Sequence, residues 1–252
     1  MKQGTFTILT MAAALVLSAV FYWGILPGMD KGVEQTPLIH QIALAGPIVP
    51  FLITLTLMLL TFIVERVITL KKARGSRPLP VYFSEFTKAV REGKYDHAVK
   101  VSDDQRGSAA AVLKAGAEQW MRVASDKSMH SEKKIADTQR AINEARLLEV
   151  PFLERNLIAL STIASVATMV GLLGTTIGMI RSFAAMSTQG APNAAELARG
   201  ISEALVNTAL GLFAAIAGIV AYNFFVNKVD QFNYEIDEAA YLMVEILKDK
   251  EA

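Results

Sequence analysis

Charge along this chain comes in blocks. Four windows carry no Asp, Glu, Lys or Arg: Thr5–Leu26, Gln41–Val64, Asn156–Ile180 and Ala204–Asn227. Each is rich in Leu, Ile, Val, Ala and Phe, and each is long enough to cross a hydrocarbon core of ~30 Å as a helix. Between the second and third windows the pattern changes to mixed charge with helical periodicity. Arg77-Pro78-Leu79-Pro80 interrupts it. Val81–Glu92 then predicts an amphipathic helix with Phe83, Phe86 and Val90 on one face, closed by Gly93. Tyr95–Val101 predicts a second short helix, Asp103-Asp104 and Gly107-Ser108 a turn, and Ala109–Ala124 a third helix burying Val112, Leu113 and Trp120. A fourth begins near Ser131 and runs toward the third window, with Pro151 either kinking it or starting a new one.

The fold class that follows is all-α: a polytopic membrane protein with three core transmembrane helices, a further N-terminal one and a helical cytoplasmic domain. The expected division is 1–40 for the N-terminal helix and a periplasmic loop, 41–70 for a span and 71–150 for the cytoplasmic domain. A span follows over 151–187, then a short periplasmic turn and the last span over 188–229, and a cytoplasmic C-terminal helix over 230–252. Orientation comes from Lys71, Lys72, Arg74 and Arg77, which put the end of the second window in the cytoplasm. The 27–40 loop has no basic excess and belongs outside, as does the uncharged connection around Ser187–Ala195. Lys2 and the Thr5–Val20 run resemble a signal peptide, but the run continues through Phe21-Tyr22-Trp23-Gly24-Ile25-Leu26, which favours an uncleaved helix with an interfacial aromatic belt.

Composition narrows the function. The hydrophobic share is 52% and the net charge +1, giving no reason to expect a nucleic-acid partner. With no cysteine, disulfides, thiolate catalysis and Cys-ligated metals are excluded. His40, His97 and His130 have no metal-ligand spacing, so neither metal nor cofactor is expected. Gly171-Leu-Leu-Gly174-Thr175-Thr176 lacks the lysine of a phosphate loop and lies inside a span. No nucleophile–base set or catalytic carboxylate pair is present, and an enzyme is not expected.

The last two spans carry the chemistry. Steps of three and four residues along the third span give Ser161, Ala164/Ser165, Thr168, Gly171, Thr175, Gly178 and Ser182, all small. The fourth gives Gly200, Glu203/Ala204, Asn207/Thr208, Gly211, Ala214, Gly218 and Ala221. Small stripes, with Gly174-x-x-x-Gly178 among them, let helices approach closely. Close packing accounts for Gly171, Gly174, Gly178, Gly211 and Gly218. It accounts less well for Thr175, Asn207 and Thr208, since polar groups in a span are costly unless used. A polar pathway lined by these three and by Ser161, Ser165 and Thr168 is one reading; hydroxyls satisfied by their own helix are the other. Arg181 lies six residues, roughly 9 Å, outward of Thr175, and Glu203 five residues, roughly 7.5 Å, outward of Thr208. At equal depth the two form an ion pair, within or between subunits, that pins structure or relays protons.

Gly171-Leu-Leu-Gly-Thr-Thr-Ile-Gly-Met-Ile-Arg-Ser-Phe183 followed by Gly200-Ile-Ser-Glu-Ala-Leu-Val-Asn-Thr-Ala-Leu-Gly-Leu212 resembles the MotA/TolQ/ExbB proton channel family, most closely its ExbB/TolQ branch. The resemblance covers about residues 41–240. It implies a multi-pass protein of the bacterial inner membrane, forming a homopentamer in membrane lipid around a dimer of single-span ExbD/TolR-like partners. Proton-motive force would drive mechanical work passed to a TonB- or TolA-like protein, for outer-membrane transport or envelope maintenance. The family's pore threonines match Thr175 and Thr208, its hairpin glutamate matches Glu203, and its protonatable aspartate belongs to the partner. Ala217 replaces the proline common after Ala214-Ala215-Ile216 in ExbB-type chains, and Asn207 and Arg181 also depart from the best-known members. The alternatives are a flagellar-type (MotA-like) stator subunit and a non-conducting membrane scaffold.

Overall fold

The computed structural model describes residues 3–25, 41–42, 45–126, 128–188 and 194–251. The 27–40 loop and the centre of the 187–195 connection lie outside them. Among the described residues every regular element is helical. The helices are α1 (Gln3–Ala19, continued by a π-helical segment Val20–Ile25), α2 (Ile48–Arg74), α3 (Leu79–Arg91), α4 (Tyr95–Gln105), α5 (Ser108–Ala124), α6 (Ser131–Glu154), α7 (Leu157–Thr188) and α8 (Ala194–Glu251). Among the described residues four helical stretches are long and apolar enough to cross a membrane. The chain forms two compact units, Met1–Val64 with Asn156–Asn223, and Glu65–Arg155 with Phe224–Ala252.

The helices outrun the charge-free windows. α2 continues to Arg74, where Lys71, Lys72 and Arg74 occupy its last turn, an end at which cations favour the helix dipole. α8 continues without a break to Glu251, so the boundary expected near 229 falls inside one helix. Its later part stays helical because Phe225, Val229, Phe232, Ile236, Ala240, Met243 and Leu247 recur every three or four residues and are all buried.

In the first unit the apolar side chains point both ways. Leu52, Leu59, Phe62, Leu160, Ala164, Ala167 and Ala214 are buried. Ile158, Met169, Ile180, Leu205, Phe213 and Val220 are each more than 60% exposed. Bulky apolar residues covering the outside of a helical unit suit hydrocarbon as solvent, not water.

The second unit has a buried helical core of its own. Val112, Leu113 and Trp120 of α5 are buried, and so are Phe86 and Val90 of α3. Phe83 is only half-buried; Tyr82 takes its place at 0% exposure, its hydroxyl hydrogen-bonded to Ser102 Oγ at 2.8 Å. α4 runs to Gln105, so Asp103 and Asp104 are helical and the reversal comes at Arg106 (φ 58°) and Gly107 (φ 85°). The buried Gln105 amide decides this: Nε2 donates to the carbonyls of Arg74 and Arg77, and Oε1 accepts from Arg77 N–H. Pro151 lies within α6. The break comes later, at Asn156, whose φ of 63° is the left-handed conformation that Asn tolerates better than most residues. The Leu153 carbonyl near that break accepts from Nη1 of the buried Arg66 at 3.1 Å. Arg66 in turn forks onto both oxygens of Glu65 at 2.8 and 2.7 Å.

Candidate functional site in the α7–α8 hairpin

The structure separates two stripes that the sequence merges. Gly171, Gly174, Gly178 and Ser182 of α7 are buried, whereas Ser161, Thr168 and Thr175 are half-exposed and Ser165 is exposed. Rows of glycine and hydroxyl therefore run side by side, and the glycine row is the one against α8. A Cβ placed on Gly211 would come within 2.8 Å of Gly171 Cα and 2.6 Å of the Ala167 carbonyl oxygen. One placed on Gly178 would come within 2.9 Å of the Gly200 carbonyl oxygen and 2.8 Å of Ala204 Cβ. Gly218 makes similar room for Ala164 and Leu59. Contacts this close leave no space for a side chain at the glycine positions themselves.

The hydroxyl row is satisfied within its own helix. Ser161 donates to the Ile158 carbonyl at 3.0 Å, Ser165 to Ser161 at 3.0 Å, Thr168 to Ala164 at 3.2 Å and Thr175 to Leu172 at 2.6 Å. Such bonds to the preceding turn remove the cost of a hydroxyl in an apolar phase. Thr208 differs. Its Oγ1 donates across the hairpin to the Gly171 carbonyl at 3.1 Å. That carbonyl is the acceptor of the Thr175 N–H in regular α-helix, so the two threonines stand at one level.

Asn207, expected on the lining stripe, lies inside the first unit at 0% exposure. Its side chain fills the space left by Gly174, and Nδ2 donates to the Ala45 carbonyl at 3.2 Å. Its Oδ1 is buried without a hydrogen-bond partner among the described residues.

Toward the end of α7, Arg181 Nη1 donates to Glu203 Oε1 at 2.7 Å within one chain. The pair leans on a corner that sequence reasoning missed. Gly46 has φ +81°, and its absent side chain is what admits the Glu203 carboxylate; a Cβ there would lie 2.8 Å from Glu203 Cδ and 3.3 Å from Arg181 Nη1. The Gly46 carbonyl accepts from Tyr22 Oη at 3.0 Å. Tyr22, Ala45 and Val49 form a buried cluster against which Val206 and Leu210 pack. One turn earlier, Ser18 and Thr54 share a buried hydrogen bond of 2.6 Å. Gly46 directly before Pro47 is a turn signal, but nothing local assigns it to Glu203.

The family model of the MotA/TolQ/ExbB proton channel family matches residues 105–238, just over half of the chain. The chain belongs to that family. The match takes in every hairpin residue described above and leaves out Tyr22, Ala45 and Gly46. Named relatives fall on the TolQ and ExbB side. The Tol-Pal system protein TolQ of Haemophilus influenzae is 44% identical over 89 residues, 35% of this chain and 39% of that protein. TolQ of Pseudomonas aeruginosa is 30% identical over 151 residues, 60% of this chain and 65% of that protein. The biopolymer transport protein ExbB of Pseudomonas putida is 42% identical over 81 residues, 32% of this chain and 25% of that protein. The chain thus spans less than two thirds of these relatives' own lengths.

Proposed function

We propose that this chain is the multi-span subunit of an ExbB/TolQ-type proton-driven motor in the bacterial inner membrane. In this reading five copies surround a dimer of single-span, ExbD/TolR-like helices. Proton flow through the complex does mechanical work on a TonB- or TolA-like protein, for outer-membrane transport or envelope maintenance.

One observation carries the reading. Between Leu157 and Ile180, and between Ala204 and Asn223, the spans hold hydroxyls and two amides but no Asp, Glu, Lys, Arg or His. A chain of this family that moves protons then needs a titratable group from another chain. Family membership and the TolQ and ExbB relatives support the same completion.

The roles follow from chemistry. Thr175 and Thr208, side by side in depth and both half-exposed, offer oxygens that exchange hydrogen bonds with a passing carboxyl without holding it as a charge would. Ser161, Ser165 and Thr168 continue that polar row along α7. The glycines hold α7 against α8, and Arg181 with Glu203 fixes the hairpin's outer end.

The test is the native mass of the detergent-solubilised complex, purified alone and with a co-expressed neighbour that has one span bearing an aspartate. A pentamer that takes up two such helices is the expected result. A monomer, or an oligomer that takes up none, overturns the reading and leaves a membrane scaffold.

A further inference from the structure

The second unit contains a groove of about 300 Å³ that the motor reading does not use. Val67, Leu70, Phe224, Phe225 and Phe232 form its wall, and Lys71, Arg74 and Lys228 its rim. Phe225 and Phe232 are buried at its floor, while Phe224 is 55% exposed. Lys228 Nζ stands 5.9 Å from the centre of the Phe224 ring. Among the described residues none of the three rim cations has an ion pair.

Position along the chain sets the depth of this groove. Val67 is three residues past Val64, where the second charge-free window ends, and Phe224 and Phe225 belong to the last four residues of the fourth window. Two helices therefore bring an apolar wall and three cations together where they leave the hydrocarbon, on the side that Lys71, Lys72, Arg74 and Arg77 assign to the cytoplasm.

We propose that this groove is a binding site for an anionic glycerophospholipid of the inner leaflet, with the phosphate on Lys71, Arg74 and Lys228 and the start of an acyl chain against Phe224, Phe225 and Leu70. Both parts of the site are needed for the assignment. A free phosphate would leave the aromatic wall without a partner, and a zwitterionic lipid would leave the unpaired cations without net negative charge. Basic pockets between helices at the cytoplasmic face suit anionic headgroups on the same grounds. The site depends on the chain's being a membrane protein and not on proton transport.

The test uses the full chain, delipidated in detergent and offered vesicles of phosphatidylglycerol and phosphatidylcholine with matched acyl chains. Retained lipid per subunit is read by native mass spectrometry. Preferential retention of phosphatidylglycerol is expected. The combined variant Lys71→Gln/Arg74→Gln/Lys228→Gln should weaken that retention on the order of a hundredfold, since each cation near an anionic surface contributes about fivefold. Lys71 and Arg74 are exposed and Lys228 half-exposed, so the variant keeps its fold, which circular dichroism checks. A second variant, Val67→Trp, fills the mouth of the groove with the cations intact and should also lower retention. Inorganic phosphate should not displace the lipid. Equal retention of the two lipids, retention unchanged in both variants, or displacement by inorganic phosphate overturns the proposal.

Discussion

Arg181 Nη1 lies 2.7 Å from Glu203 Oε1, and the partners are unequally buried, with Glu203 8% exposed and Arg181 50%. Removing the arginine strands a carboxylate in an apolar setting. Removing the carboxylate leaves a guanidinium that can reach solvent. Arg181→Gln should therefore destabilise the subunit by about 1–3 kcal/mol, more than Glu203→Gln does, with part of the loss recovered in the double variant. Thermal unfolding of the four proteins in one detergent checks the order. If Glu203→Gln is the more damaging, the carboxylate is the stronger pin of the two; if it unfolds like the parent and loses only energised work, Glu203 is a relay and not a pin.

Gly46 has a conformation and a neighbour that both exclude a side chain. Gly46→Ala should cost about 1–3 kcal/mol, from the positive φ together with displacement of the Glu203 carboxylate. Gly24 is the control, because a Cβ there meets nothing nearer than Val20 Cγ1 at 4.0 Å. Gly24→Ala should leave the unfolding midpoint within error of the parent. Equal midpoints for the two variants would remove the corner from the site.

Thr175→Val and Thr208→Val exchange a hydroxyl for a methyl at nearly constant size. Thr175 gives up a bond within its own helix, and Thr208 one across the hairpin to Gly171. Each should cost no more than about 1 kcal/mol of stability. The oligomer should keep its native mass while energised uptake or envelope integrity falls in complementation. Full activity in both variants would take the threonines out of the proton pathway.

Tyr82 supplies a pH test away from the spans. Burial pushes its phenol above the ordinary 10.0, and the Ser102 hydrogen bond only partly offsets this. A group held above its unfolded value contributes stability in full below that value and loses it as pH rises toward the folded one. Unfolding of the second unit should therefore become easier from about pH 10 upward. Tyr82→Phe should flatten that alkaline slope and cost about 0.5–1.5 kcal/mol at neutral pH through the lost bond. Circular dichroism melts of the full chain across that range decide it; an unchanged slope would show that another group governs alkaline unfolding.

Local pattern alone determined much of this protein. A charge-free window reports hydrocarbon length, which is a property of one helix by itself, so the spans, the basic clusters beyond them and the helical character of 79–124 are all legible without any partner. The hairpin motifs carried the family resemblance because their glycines and threonines sit at fixed spacings within single helices. Helix ends were less legible. Charge marks where a helix leaves the hydrocarbon, while hydrogen bonding and apolar periodicity carry α2 to Arg74 and α8 to Glu251.

Only the tertiary structure decided which of two neighbouring rows on α7 is buried. Ser161, Thr168 and Thr175 differ from Gly171 and Gly178 by one step around the helix, and the rotation that selects between them is set by α8. The same holds for Asn207, which reads as a lining residue until its amide meets the Ala45 carbonyl, 162 residues away in sequence. It holds too for Gly46 and Tyr22, whose sequence gives a turn and an aromatic belt while their contacts give a seat for Glu203. Periodicity fixes what a helix can bury; what it does bury depends on the helix that arrives against it.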